Sequence, residues 1–182
     1  MMETSAMVVR MDLDRLNSTP ADDLRPVLHA VCSTTHWVDA MIDGRPYATA
    51  DDAYERSDEA VAALDDEALE AALAGHPRIG DRPAGKHAAW STSEQATMSD
   101  AAEDIAAQIR DGNLAYEQRF GHVYLVCASG RRPEELLAIL RSRLDNEPAD
   151  EHAVVLSELA AINRLRLTRL VEPTDEADVP GR

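Results

Sequence analysis

Apolar residues recur at helical spacing along much of the 182-residue chain, and this spacing is the feature that most constrains the fold. Side chains three, four and seven positions apart lie on one face of an α-helix. The clearest sets are Leu24, Val27, Leu28 and Val31; Ile105 and Ile109; Leu136, Leu137, Leu140 and Leu144; and Val155, Leu159 and Ile162. These sets predict helices that each pack through one apolar face.

The apolar residues are carried by Ala, Leu and Val, whereas aromatic residues make up only 4% of the chain. Small aliphatic side chains suit closely packed helices better than a β-sandwich. The chain is long enough to bury one core and too short for two complete domains. We therefore expect an all-α fold, a single-domain helical bundle.

Turn-forming residues divide the chain into elements. The predicted helices span residues 12–41, 50–64, 65–74, 91–118, 133–144 and 150–170. Gly112 is expected to interrupt the fourth helix, and the β-favouring run Val123–Cys127 predicts a short, buried, extended segment. The expected boundaries are a flexible N-terminus at 1–11, the helical domain at 12–171 and a disordered acidic tail at 172–182.

Eighteen basic against 34 acidic residues give a net charge of −16. This balance argues against nucleic acid and anionic membranes as partners, because phosphate neutralisation needs a basic surface. Lys86 is the single lysine, and an acidic, lysine-poor surface predicts adaptation to high salt. Cys32 and Cys127 are expected to be buried free thiols. Without a secretory pattern or a membrane-length apolar run, we expect a cytoplasmic protein.

A histidine and a glutamate stand in two locally constrained settings. Pro77 disfavours helix at His76, and Gly75 is suited to end the Ala-rich helix before it, so His76 is expected just beyond a helix end. Glu94 belongs to Ser91-Thr92-Ser93-Glu94, which fits the capping-box pattern. Two interpretations of Ser91 and Glu94 stay open: a helix cap, or contacts with polar ligand atoms at the same helix terminus.

Arg166 is the clearest anomaly of spacing. At about 100° per residue it falls near the centre of the apolar face of the last helix, whereas Arg164 points to the opposite side. A buried guanidinium needs an acceptor, so its partner is either an internal carboxylate or a ligand oxygen. The histidines show no zinc-ligand spacing, and no metal site is predicted.

His76, Glu94, Arg166 and their neighbours belong to four short sequence blocks. They are His76-Pro77-Arg78-Ile79-Gly80, Trp90-Ser91-Thr92-Ser93-Glu94-Gln95, Phe120-Gly121-His122-Val123-Tyr124, and Arg143-Leu144-Asp145-Asn146-Glu147-Pro148 continuing to Arg166-Leu167. In this order and spacing the chain resembles the 2-oxo-4-hydroxy-4-carboxy-5-ureidoimidazoline (OHCU) decarboxylases of uric acid degradation, over roughly Leu13 to Leu170. Each block alone is weak, but the combination is specific.

The resemblance implies an all-α homodimer that converts the ureidoimidazoline to (S)-allantoin and carbon dioxide without a cofactor. By position, it places the catalytic histidine on His76 and the catalytic glutamate on Glu94. The substrate contacts that it implies fall on Pro77, Ser91, Gln95, Phe120, Gly121, His122 and Arg166. Two alternative functions stay open at this point: a non-catalytic helical interaction module, and a metal-dependent ureide hydrolase.

Overall fold

The computed structural model describes residues 10–76, 78–79 and 101–171. Eight α-helices lie in these ranges: α1 Leu13–Ser18, α2 Ala21–Val31, α3 Thr35–Asp43, α4 Ala50–Ala62, α5 Asp66–Ala74, α6 Ala101–Phe120, α7 Pro133–Arg143 and α8 Pro148–Val171. These ranges contain no strand, and the predicted all-α fold class is confirmed. None of the helices in them is long and apolar enough to cross a membrane.

Local chemistry sets several helix starts. The Thr49 hydroxyl accepts from the Asp52 amide at 3.1 Å while the Asp52 carboxylate accepts from the Thr49 amide at 2.8 Å, a capping box that opens α4. Asp65 caps α5 by accepting from the Ala68 amide at 2.8 Å. Pro133 begins α7, as predicted. These contacts satisfy amides that have no partner within a helix.

Residues 12–41, which were predicted to be helical with a helix start near Pro20, form three helices, and the second of them begins at Ala21. Thr19 and Pro20 between α1 and α2 have extended backbone angles, with ψ of 131° and 143°. Proline favours an extended conformation in the residue before it. Cys32 and Thr34, between α2 and α3, are extended as well, with ψ of 120° and 131°.

Gly112 does not interrupt its helix, contrary to the prediction. It lies inside α6, which runs from Ala101 to Phe120. A Cβ atom at this position would stand 2.5 Å from Cδ2 of Leu140 on α7. The glycine therefore permits a close approach of α6 and α7, which is another common reason for glycine in a helix.

Residue contacts divide the chain into two compact units. Among the described residues, the first unit comprises 10–64 and 163–171, and the second comprises those between Asp65 and Ile162. Helix α8 thus contributes its last part to the first unit and its first part to the second. The single domain predicted over 12–171 stays a prediction, and the predictions for residues 1–9 and the tail at 172–182 lie outside the described residues.

Each unit has its own apolar core. In the first unit the largest fully buried side chains include Leu16, Leu24, Leu28, Trp37 and Met41. The core of the second unit includes a cluster formed by Ile109, Tyr116, Tyr124, Val126, Leu136, Leu137 and Leu140. Within the predicted extended segment, Tyr124, Leu125 and Val126 are buried and non-helical. This segment therefore belongs to the core of the second unit.

Candidate functional site

His76 directly follows helix α5, as predicted. Its amide donates to the carbonyl oxygen of Leu73 at 2.9 Å and so extends the last helical turn. Gly75 ends the helix with right-handed angles, φ −81° and ψ −2°, rather than with the left-handed conformation expected of it. The His76 side chain is half-buried. Its backbone position is therefore fixed by the end of α5.

A backbone carbonyl fixes the hydrogen-bonding state of the His76 ring. Nδ1 lies 2.9 Å from the carbonyl oxygen of Ala72. A carbonyl oxygen can only accept a hydrogen bond, so Nδ1 carries the hydrogen. The neutral ring then has its basic lone pair on Nε2, a buried atom. The nitrogen of this neutral ring that can accept a proton is therefore Nε2.

Helix α6 holds the two described residues that follow His76. Arg78 donates from Nε and Nη2 to the two carboxylate oxygens of Glu117, at 2.5 and 2.7 Å. This bidentate contact lowers the pKa of the Glu117 carboxyl. Asn113 donates from Nδ2 to the carbonyl oxygen of Ile79 at 2.8 Å. Two side chains of α6 thus anchor the segment on which the catalytic histidine was predicted.

The end of α6 carries three further predicted site residues, Phe120, Gly121 and His122, which we call the aromatic wall. Gly121 has a φ of +80°, a left-handed conformation that reverses the chain after the helix. The ring of His122 consequently returns to lie 6.4 Å from that of Phe120. Both rings are half-buried and Gly121 is exposed. The three residues therefore lie together at the end of α6.

A buried ionic cluster lies beneath this wall, and sequence reasoning missed it. Arg143 and Glu151 form an ion pair at 2.6 Å, with side chains only 5% and 0% exposed. Tyr116 donates its hydroxyl hydrogen to Glu151. Asn146 donates to the second Glu151 oxygen at 2.7 Å, and Arg143 donates to the carbonyl oxygen of Leu125 at 2.7 Å. Each buried charge therefore has several partners, which its burial requires.

Burial is the main cause that raises the pKa of Tyr116, and its hydrogen bond to Glu151 raises it further. The hydroxyl therefore stays protonated and acts as a donor to the carboxylate. One signal in the sequence pointed to this cluster. Glu151 stands one helical turn before Val155, on the face of α8 that was predicted to be apolar.

Arg166 belongs to the first unit and lies at the edge of the buried face of α8. Its side chain is half-buried, whereas Asn163 and Leu167 are completely buried. The prediction that Arg166 lies near the centre of this face is therefore wrong by about one position. Arg166 donates from Nη1 to the carbonyl oxygen of Val31, the last residue of α2, at 2.6 Å. A cation is favoured at the C-terminus of a helix, because the last carbonyl oxygens carry partial negative charge and have no partner within the helix.

Arg164 and the two free cysteines agree with the predictions made for them, except that Cys127 is not fully buried. Arg164 points outward and pairs with Asp58 at 3.0 Å. Cys32 is a buried free thiol and Cys127 a half-buried one. Burial raises the pKa of Cys32. Within the part of the chain that the structure describes, no three His, Cys, Asp or Glu side chains are grouped to hold a metal ion.

The structure covers only part of the predicted site. His76, Phe120, Gly121 and His122 lie in the second unit, and Arg166 lies in the first. Pro77, Ser91, Glu94 and Gln95 lie outside the described residues. The structure brings Phe120 and His122 together, and the meeting of all these residues at one pocket stays a prediction.

Comparisons with known proteins agree on one family. The family model described as OHCU decarboxylase matches residues 17–168 of the chain. The 2-oxo-4-hydroxy-4-carboxy-5-ureidoimidazoline decarboxylase of Amia calva is 30% identical over 169 residues, which are 89% of this chain and 95% of that protein. The match thus includes nearly the whole length of that relative.

A second relative is a much longer protein. The uric acid degradation bifunctional protein TTL of Arabidopsis thaliana is 34% identical over 113 residues, which are 59% of this chain and 34% of that protein. The chain therefore spans about a third of its length.

Among solved structures, that of an OHCU decarboxylase in the presence of (S)-allantoin matches with a TM-score of 0.66 and 24% identity, covering 78% of this chain and 94% of that one. At this identity the structural match shows a common fold.

Proposed function

The chain belongs to the OHCU decarboxylase family, and from this premise we propose that it converts OHCU to (S)-allantoin and carbon dioxide in uric acid degradation. As a member of the family it is a carboxy-lyase. The observation that carries the proposed chemistry is the hydrogen bond between His76 Nδ1 and the Ala72 carbonyl at 2.9 Å, because it assigns the basic nitrogen to Nε2.

The reaction breaks the bond between the ring carbon and its carboxylate, and the electron pair stays on that carbon. The adjacent unsaturated ring of the substrate delocalises the pair, so the chemistry needs no cofactor as an electron sink. A proton must then reach the carbon from one face. His76 is the acid–base residue in this proposal and acts through Nε2. Glu94 orients the imidazole and the substrate hydroxyl.

Substrate binding is assigned to the remaining residues of the family pattern. Ser91 and Gln95 fix the ureido arm, while Pro77 and the aromatic wall line the pocket. Arg166 contacts a ring or ureido oxygen on which charge accumulates. An arginine that gripped the leaving carboxylate equally in ground and transition states would improve binding without accelerating the reaction. The bond from Arg166 to Val31 supports this role because it holds the guanidinium in place.

The test supplies freshly generated OHCU and follows the optical activity of allantoin by circular dichroism. We expect the wild-type chain to accelerate (S)-allantoin formation over spontaneous decay, and Glu94→Gln to slow it by roughly 100-fold or more, because acid–base catalysis by His76 loses the carboxylate that orients the imidazole and the substrate. An equal rate with and without the wild-type chain would refute the proposed function.

The same assay separates the two alternative functions. A helical interaction module would produce no acceleration at all. A metal-dependent ureide hydrolase would lose activity after dialysis against a chelator, and it would hydrolyse a C–N bond of allantoin-like ureides instead of forming (S)-allantoin from OHCU. We expect instead that the decarboxylase activity survives chelation.

Two features of the whole protein complete the proposal: a homodimer and a cytoplasmic location. In light scattering, a homodimer would have about twice the 19.9 kDa mass of the chain. A mass of one chain at assay concentrations would contradict the dimer and leave the catalytic proposal unaffected.

A further inference from the structure

Tyr116 packs against the aromatic wall from the protein interior. It stands one helical turn before Phe120 on α6, and the two ring centroids are 4.7 Å apart. The His122 ring meets the Tyr116 ring edge-on at 5.5 Å. Tyr116 is completely buried, whereas both rings that it contacts are half-buried. A shift of the Tyr116 ring would therefore displace a contact of both Phe120 and His122.

The ionic cluster fixes the Tyr116 ring in turn. Its hydroxyl donates to Glu151 and accepts from Nη2 of Arg143 at 3.3 Å. The Arg143 guanidinium also lies 5.7 Å from the centre of the Tyr116 ring, at cation–π distance. A ring held at its hydroxyl and at its face has little freedom to shift, because either contact would be lost.

From this arrangement we propose that Tyr116 is a positioning residue for substrate binding: its hydroxyl, anchored on Glu151, sets the places of Phe120 and His122. The inference rests on the proposed function, in which the wall contacts the substrate. Tyr116 has no part in proton transfer. Its effect arises because small displacements of contacting groups weaken both binding and orientation of a substrate.

The test is Tyr116→Phe, which removes the hydroxyl and keeps the ring. Glu151 retains Arg143 at 2.6 Å and Asn146 at 2.7 Å, so its buried charge stays paired in the variant. We expect the KM for OHCU to rise and kcat/KM to fall on the order of tenfold. We also expect a smaller excess of (S)-allantoin, since a displaced substrate receives its proton with less facial preference.

Tyr124→Phe is the matched control. The Tyr124 ring also packs edge-on against Tyr116, at 5.2 Å, and lies in the same core. Its hydroxyl is buried but forms no hydrogen bond with any described residue. Tyr124→Phe removes the same group as Tyr116→Phe but breaks no hydrogen bond to a described residue. We therefore expect this variant to have the KM and the product excess of the wild type.

Two measurements, the KM and the excess of (S)-allantoin, separate a positioning role from a general loss of structure. A variant that is merely less stable yields less folded enzyme, which lowers the apparent kcat but leaves KM unchanged. The product excess is therefore measured at enzyme concentrations adjusted to equal catalysed rates, so that spontaneous decay contributes equally.

A Tyr116→Phe enzyme with wild-type KM and product excess would overturn the positioning role, whatever its melting temperature. The same shifts in Tyr124→Phe as in Tyr116→Phe would overturn it too. If the wild-type chain itself fails to accelerate allantoin formation, the proposed function falls and this inference falls with it. If the wild type accelerates the reaction and the Tyr116→Phe variant has the same KM and product excess, only the positioning role is refuted.

Discussion

Gly121 holds a backbone conformation that other residues adopt only with strain. Its φ is +80°, and Gly130, on the loop before α7, has a similar φ of +76°. A Cβ atom added at either position would meet no described atom within 4 Å. The two glycines therefore differ in location and not in the kind of strain that a side chain would cause. Gly121 belongs to the aromatic wall, and Gly130 does not.

We expect Gly121→Ala and Gly130→Ala each to lower the free energy of unfolding by about 1–2 kcal/mol, because both force alanine into the left-handed region. Urea denaturation measures this loss. Only Gly121→Ala should also raise the KM for OHCU, since it alone displaces His122. Equal KM values in the two variants would show that the conformation of Gly121 does not matter for substrate binding.

Residue patterns predicted His76 well and Arg166 less well. Pro77 placed His76 beyond a helix end because proline disfavours helix in the residue before it, whereas Gly75 does not adopt the left-handed conformation expected of it. Which ring nitrogen carries the hydrogen depends on the Ala72 carbonyl, a contact that a local pattern does not specify. The exposure of Arg166 depends on how α8 packs. The sequence pattern misjudged the direction of the buried face by about one position, so it predicted Arg166 at the centre of that face instead of at its edge.

Among the elements, α6 has the largest part in the candidate site. Its side chains Asn113 and Glu117 hold Ile79 and Arg78, which follow the predicted catalytic histidine. One turn further on, Phe120 ends the helix and begins the aromatic wall. A displacement of α6 would therefore disturb both parts of the site in the second unit.

Gly112→Ala tests how closely α6 and α7 pack. Alanine favours a helix by about 1 kcal/mol over glycine, but its Cβ would stand 2.5 Å from Cδ2 of the fully buried Leu140. Overpacking of a core typically costs about 1–3 kcal/mol, so we expect a net loss of stability in thermal or urea unfolding.

The control is a double-mutant cycle with Leu140→Val, which removes the clashing δ-carbons. In this background Gly112→Ala should become neutral or stabilising. A destabilisation of the same size in both backgrounds would show that contact with Leu140 is not the reason for the glycine.

At this scale the sequence predicted which segments are helical better than where the helices break or what they bury. Apolar periodicity gives helices directly, but the extended residues between α2 and α3 carried no proline or glycine signal. The Arg143–Glu151 pair was missed for a different reason. Charged residues are normally exposed, and their burial depends on a partner from another helix.

For the whole molecule, a net charge of −16 opposes the approach of a substrate that carries a carboxylate. Arg78, a cation near His76 in the sequence, is already matched by Glu117. Long-range repulsion should therefore be substantial at low ionic strength. The Debye length falls from about 30 Å at 0.01 M salt to about 8 Å at 0.15 M, which screens most of it.

We accordingly expect the KM for OHCU to fall as NaCl is raised over this range, while kcat changes little. KCl at equal ionic strength should give the same result, because screening does not depend on the cation. A KM that rises with salt would indicate that local cations dominate the encounter and would contradict this account. The predicted adaptation of the surface to high salt stays a prediction.

His76→Asn, followed by circular dichroism of allantoin formation, tests the central claim most directly. The asparagine amide takes the place of Nδ1, so it keeps the donation to the Ala72 carbonyl but has no basic nitrogen. We predict that the wild type accelerates (S)-allantoin formation, and that His76→Asn, with an unchanged helical spectrum, falls to the spontaneous rate. A folded His76→Asn enzyme with the full wild-type rate would contradict the role of His76 in the reaction.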